Sequence, residues 1–173
     1  QLLAALKTLA TENYNARVDA GITIKKLAKA SDLPVLVREL QRLPNAAGRA
    51  EIIRTIGDIG DRRASKALRA ELEEGKGVSQ AAAVRALGRL GSDWAIPSLY
   101  ELMRKGKETA LRIDAASALG ELGTPKAIYS LDANRQFYTG GLRVASDWAI
   151  ASARGELDPD RIDTKLERGR KLI

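Results

Sequence analysis

The chain has 173 residues, 29 Lys and Arg against 22 Asp and Glu for a net charge of +7, and 45% apolar residues of which few are aromatic. Cysteine and histidine are absent, which excludes disulfides, thiolate nucleophiles, Cys/His metal sites and imidazole acid–base catalysis. No apolar run approaches the length of a membrane span, and Val, Ile and Thr never alternate as in strands, so the chain is expected to be all-helical. The positive excess is spread over both halves of the sequence, which predicts a surface of mild positive bias and directs attention to nucleic acid, anionic membrane or acidic proteins as partners.

Residues 1–12 read as the N-terminal helix of a partial repeat, with Leu2, Leu3, Leu6 and Leu9 on one stripe. No earlier repeat covers that stripe. Either a segment before Gln1 has been removed, or Tyr14 and the first repeat fold back on it, or the leucines join two copies of the chain. The absence of an initiator methionine marks a processed or excised piece, and the cytoplasm is the favoured compartment.

Residues 13–155 repeat themselves. Ile56-Gly57-Asp58-Ile59-Gly60, Leu87-Gly88-Arg89-Leu90-Gly91 and Leu119-Gly120-Glu121-Leu122-Gly123 recur at spacings of 31 and 32 residues. A fixed period of this size marks a stacked-repeat architecture. Leu36, Leu68, Leu99 and Leu131 fall in one column; Arg17, Arg49, Gln80, Arg112 and Arg143 fall in another. Each unit reads as two helices. The first ends in the glycine phrase, whose leading glycine lies inside the helix at a cost of about 1 kcal/mol against alanine, which suggests a neighbouring backbone packed close. The trailing glycine suits the left-handed residue that ends a helix. Thr124-Pro125 and Ser92-Asp93 then open the second helix, with Pro125 at its first position. A fifth copy begins at Arg143, with Ala151 and Arg154 in the glycine columns. Residues 156–173 read as a capping helix that starts at Asp158-Pro159-Asp160 and carries Ile162 and Leu166.

Leu87 to Leu99, with the sequence LGRLGSDWAIPSL, and its echo from Leu119 to Leu131 resemble the short HEAT-like repeat of the phycobilisome lyase group. The resemblance implies a right-handed α-solenoid of about five antiparallel helix pairs, a single domain over 1–173, whose second helices line a concave face. Members of this group include scaffolds, lyases, hydroxylases and DNA repair enzymes, so the resemblance fixes shape more than function. The hydroxylase type needs histidine ligands and is excluded. A DNA glycosylase type would use Trp94 or Tyr100 beside Glu101 or Asp132, but no extended motif of that family is matched.

The Arg17, Arg49, Arg112 and Arg143 column, accompanied by Asp114, is read as a structural ladder that ties each repeat to its neighbour. The second helices mix cations with carboxylates, which suits a protein partner better than a phosphate track. The expected function is a non-enzymatic scaffold without metal or cofactor, with Arg38, Arg42, Arg69, Glu73, Tyr100, Arg104 and Arg135 as partner contacts and Trp94 at the rim. A nucleic-acid-binding protein is the alternative. Trp148 is assigned to the core.

Overall fold

The structure is a computed structural model that describes residues 1–133 and 135–156. Among these residues there are ten α-helices and no strands. After α1 (Leu2–Thr8), the first helices of the repeats are α2 (Tyr14–Leu27), α4 (Ala46–Ile59), α6 (Val78–Arg89), α8 (Thr109–Leu122) and α10 (Gly140–Ala153). The second helices are α3 (Leu33–Arg42), α5 (Ser65–Glu74), α7 (Ile96–Lys105) and α9 (Pro125–Asp132). The chain is an all-α solenoid of two layers. The expected cap from Asp158 onward lies outside the described residues.

Local chemistry sets the helix boundaries. Asn13 and Asn45 accept the Ala16 and Gly48 amides at the starts of α2 and α4, and Thr124 accepts the Ala127 amide at the start of α9. Such caps satisfy donors that the first turn leaves without a partner. Gly60, Gly91 and Gly123 close their first helices with φ of +71°, +62° and +62°, a conformation open to glycine. In the fifth copy the left-handed residue is Gly155, one place beyond Arg154, at φ +67°. A 3₁₀ turn then leads into α3, α5 and α7 (Ala30–Asp32, Arg62–Ala64, Asp93–Ala95). Pro34 and Pro97 follow immediately, where a missing amide proton costs little.

Two columns fill the space between the layers. Leu36, Leu68, Leu99 and Leu131 from the second helices are wholly buried, as are Ile24, Ile56, Leu87 and Leu119 from the first. Burying one such side chain is worth about 1.5–3 kcal/mol, so these columns carry the stack. The first helices also meet one another directly. The face of Gly57 abuts Ala86, that of Gly88 abuts Ala118 and that of Gly120 abuts Ala149, with alanine carbons so near that an added methyl would stand within 2.6–3.2 Å of them.

That contact corrects the expected curvature. Helices α4, α6, α8 and α10 each lie along the next, whereas among the second helices only α7 and α9 approach one another more than glancingly. A stack drawn together on one side bends toward that side. The inner wall is therefore formed by the first helices, not the second.

The N-terminal stripe is also covered from within. Leu6 and Leu9 are buried against the stack, and Asn45 Nδ2 donates to the Leu9 carbonyl at 3.0 Å, tying α1 to the start of α4. Of the four leucines Leu3 is exposed and Leu2 half-buried, so the stripe is not an open seam for a second copy. Trp148, assigned to the core from sequence, is 51% exposed. It lies with Val144 on the side of α10 that corresponds, one repeat on, to the side of α8 covered by α10.

Candidate protein-recognition surface

The arginine column is committed to the backbone. Arg17 donates to the Thr11 carbonyl, Arg49 to Leu43, Gln80 to Leu72, Arg112 to Met103 and Arg143 to Arg135, at 2.8–3.1 Å. Four of these acceptors, from Leu43 onward, lie at or just beyond the end of the preceding second helix, where carbonyls lack helical partners. Arg49 also holds Glu71, whose side chain is almost wholly buried. Asp114 stands apart from this ladder. Its carboxylate takes a two-pronged contact from Arg85 at 2.9–3.1 Å, joining α6 to α8.

The second-helix candidates are dispersed. Arg38 and Arg42 are exposed on α3, with Arg42 3.4 Å from Glu39. Arg69 stands 5.6 Å from the centroid of the Trp94 ring and donates to Glu73 at 2.7 Å, so these three form one cluster. Tyr100, half-buried, and Arg104 share a flank of α7. Glu101 beside them is held below the usual carboxylate range, first by the hydrogen bond from Lys105 at 2.7 Å and then by Arg104. Arg135 is drawn away into a network at the far end. Burial opposes the charge of Asp147 there, but hydrogen bonds from Arg135 and Arg143 outweigh it and keep the carboxyl below its ordinary value. The structure thus unites Arg69, Glu73 and Trp94.

A well-defined concavity lies on the opposite layer. A groove of about 350 Å³ runs across α2, α4 and α6, with none of the eight sequence candidates in its lining. Gly21, Ala82 and Ala86 provide a low floor, and Val18 and Ile22 give an apolar flank, Ile22 being exposed. Across the groove runs a ladder of alternating charge. Lys25 meets Asp58 at 2.9 Å, and Arg89 meets the other oxygen of the same carboxylate at 2.7 Å. Glu121 follows on α8; loss of hydration pushes its carboxyl up and the nearby Arg89 opposes this. Arg54 pairs with Glu51 on α4.

The heights of these groups differ. Side-chain exposure is 69% for Lys25, 49% for Arg54, 56% for Arg85 and 51% for Arg89, against 31% for Asp58, 28% for Glu51 and 20% for Asp114. Glycine explains part of the difference. The Glu51 carboxylate lies across Gly21, where a methyl would come within 2.9 Å of it. Asp58, Glu51 and Asp114 thus stand lower than the cations they hold, while Glu121 at the end of the ladder is exposed.

This ladder was written in the sequence. Asp58, Arg89 and Glu121 occupy the middle place of the repeated glycine phrase, with Lys25 in the glycine column one repeat earlier. Their alternating sign was the signal. Among the described residues no group of three or more acids is placed to hold a metal ion, and no helix is long and apolar enough to cross a membrane.

Residues 68–136 match the family model for HEAT repeats, which supports a HEAT-like repeat protein. No curated protein matches the chain.

Proposed function

We propose that this chain is a non-enzymatic scaffold that recognises another protein through the groove of its first helices. Stacked helical repeats expose extended inner surfaces suited to binding, and HEAT repeats commonly serve as protein-interaction scaffolds. The observation that carries the reading is the groove itself: an inner wall with an apolar flank and outward-standing hydrogen-bond donors, the mixture expected of a protein contact. The finer likeness to the phycobilisome lyase type rests on the glycine phrase and suggests a role beside partner subunits.

A second reading places a further contact on the second helices, through Arg38, Arg42, Arg69, Glu73, Tyr100, Arg104 and Arg135 with Trp94 at the rim. The stacked Arg69–Trp94 pair favours it, because an exposed tryptophan held in one orientation loses little freedom on docking. A single-stranded nucleic acid is less well served, since the groove lining has no aromatic side chain on which a base would stack.

Capture from a cell extract, with the retained protein identified and then purified, tests the reading. The purified partner should bind the unaltered chain directly and lose that binding when Lys25 and Arg89 are both changed to Glu. It should tolerate Arg38→Glu with Arg104→Glu. Loss in the second pair alone would move the contact to the second helices. Retention in both would refute either surface.

A further inference from the structure

If the groove of the first helices is the docking surface, its charges dictate what docks, and the inference rests on that reading. We infer that the groove takes an acidic protein segment that brings an apolar side chain with its carboxylates. Lys25, Arg54, Arg85 and Arg89 line the groove with two carboxylates, Glu51 and Asp58, while Asp114 and Glu121 reach Arg85 and Arg89 from α8. Asp58 is shared by two of the cations, through one oxygen each. An ammonium offers three donors and a guanidinium five, more than one shared carboxylate can use.

The vertical order of the groups gives the face its sign. Each of the three carboxylates that meet these cations is less exposed than the cation it holds. At these ion pairs a partner approaching the groove therefore meets guanidinium and ammonium groups before it meets their carboxylates. Those cations are already oriented by the floor, so little side-chain freedom is lost when a second carboxylate arrives. Two features distinguish a protein from nucleic acid as occupant. Ile22, Val18 and the alanine floor offer apolar contact that a phosphate backbone cannot use. The lining also contains no aromatic ring, whereas single-stranded binders combine basic grooves with stacking platforms.

The probe is a fluorescein-labelled peptide of alternating Glu and Leu, measured by fluorescence anisotropy against the full 173-residue chain. A Lys-Leu peptide and an oligothymidylate of the same length serve as comparisons. The Glu-Leu peptide should bind more tightly than either. Changing Lys25 and Arg89 to Glu should weaken it by about tenfold or more, as expected for reversed charges in a contact. Ile22→Ser should weaken it severalfold, and Arg38→Glu with Arg104→Glu should change it by less than about twofold. Far-UV circular dichroism checks each fold, and Lys25→Gln with Arg89→Gln replaces the reversal should Asp58 fail to tolerate it.

Equal or tighter binding of the oligothymidylate, or a loss that is the same for both pairs of reversals, would overturn the proposal. The two readings fail separately. A purified partner that depends on Lys25 and Arg89, together with indifference to the Glu-Leu peptide, would refute the acidic occupant alone. A partner indifferent to both residues would refute the groove as the docking surface.

Discussion

The sharpest consequence of the packing is what one methyl group does at Gly120. An alanine there would place its Cβ 2.6 Å from Ala149 Cβ and 2.9 Å from Ala149 Cα. Carbon atoms rest about 3.5–4.0 Å apart, so the two helices must separate by roughly 1 Å. The obstacle includes backbone and a side chain with no rotamer to change, so α10 as a whole must move. Overpacking of this kind costs about 1–3 kcal/mol, against which helix propensity returns about 1 kcal/mol. The expected net effect of Gly120→Ala is a loss of up to about 2 kcal/mol. Gly57→Ala should cost less, because its nearest contacts are 3.0 and 3.2 Å. Urea unfolding followed by far-UV circular dichroism measures both. Adding Ala149→Gly to Gly120→Ala removes the nearer clash and should recover part of the loss. If Gly120→Ala were more stable than the unaltered chain, close approach of the first helices would be refuted.

Gly21→Ala should behave differently, since its new methyl meets the flexible end of Glu51 instead of backbone; stability should hold or rise by up to about 1 kcal/mol in the same assay. Arg49→Ala strips the cation from the buried Glu71 carboxylate and should cost about 3 kcal/mol, with Glu71→Gln added to it restoring part of the loss. The lowered pKa of Asp147 gives a pH dependence of definite sign. Its contribution is fully present above the ordinary carboxylate value of 3.8 and is lost as pH falls below that value through the lowered one. Asp147→Asn should therefore flatten the acid limb of the stability profile, which thermal unfolding across acidic pH would reveal.

Much of the fold was legible because each column in the sequence has one structural duty. The Leu36, Leu68, Leu99 and Leu131 column is buried because a repeat places the same residue at the same depth in every layer. The second glycines are left-handed because the turn after each first helix requires it. Which layer is the inner one was harder to read. It depends on what stands opposite each leading glycine, and Ala86, Ala118 and Ala149 lie 29 or 30 residues further on, off the repeat period itself. Pairing each glycine with an alanine of the following helix would have placed the curvature on the first helices. The groove was missed for the same reason, since its ladder draws Lys25, Asp58 and Arg89 from three different repeats. Trp148 was misread because its column is covered in α8 by the next layer, a layer that the described residues do not include for α10.

Because the chain has no cysteine, pairs of spin labels can be introduced cleanly at equivalent places two repeats apart. One pair, at Ile22 and Arg85, spans the first helices; the other, at Arg38 and Glu101, spans the second. Pulsed electron resonance should give the shorter distance for the pair on the first helices, as a rod bent toward that layer requires. A shorter distance between Arg38 and Glu101 would put the inner wall on the second helices and contradict the account at its base.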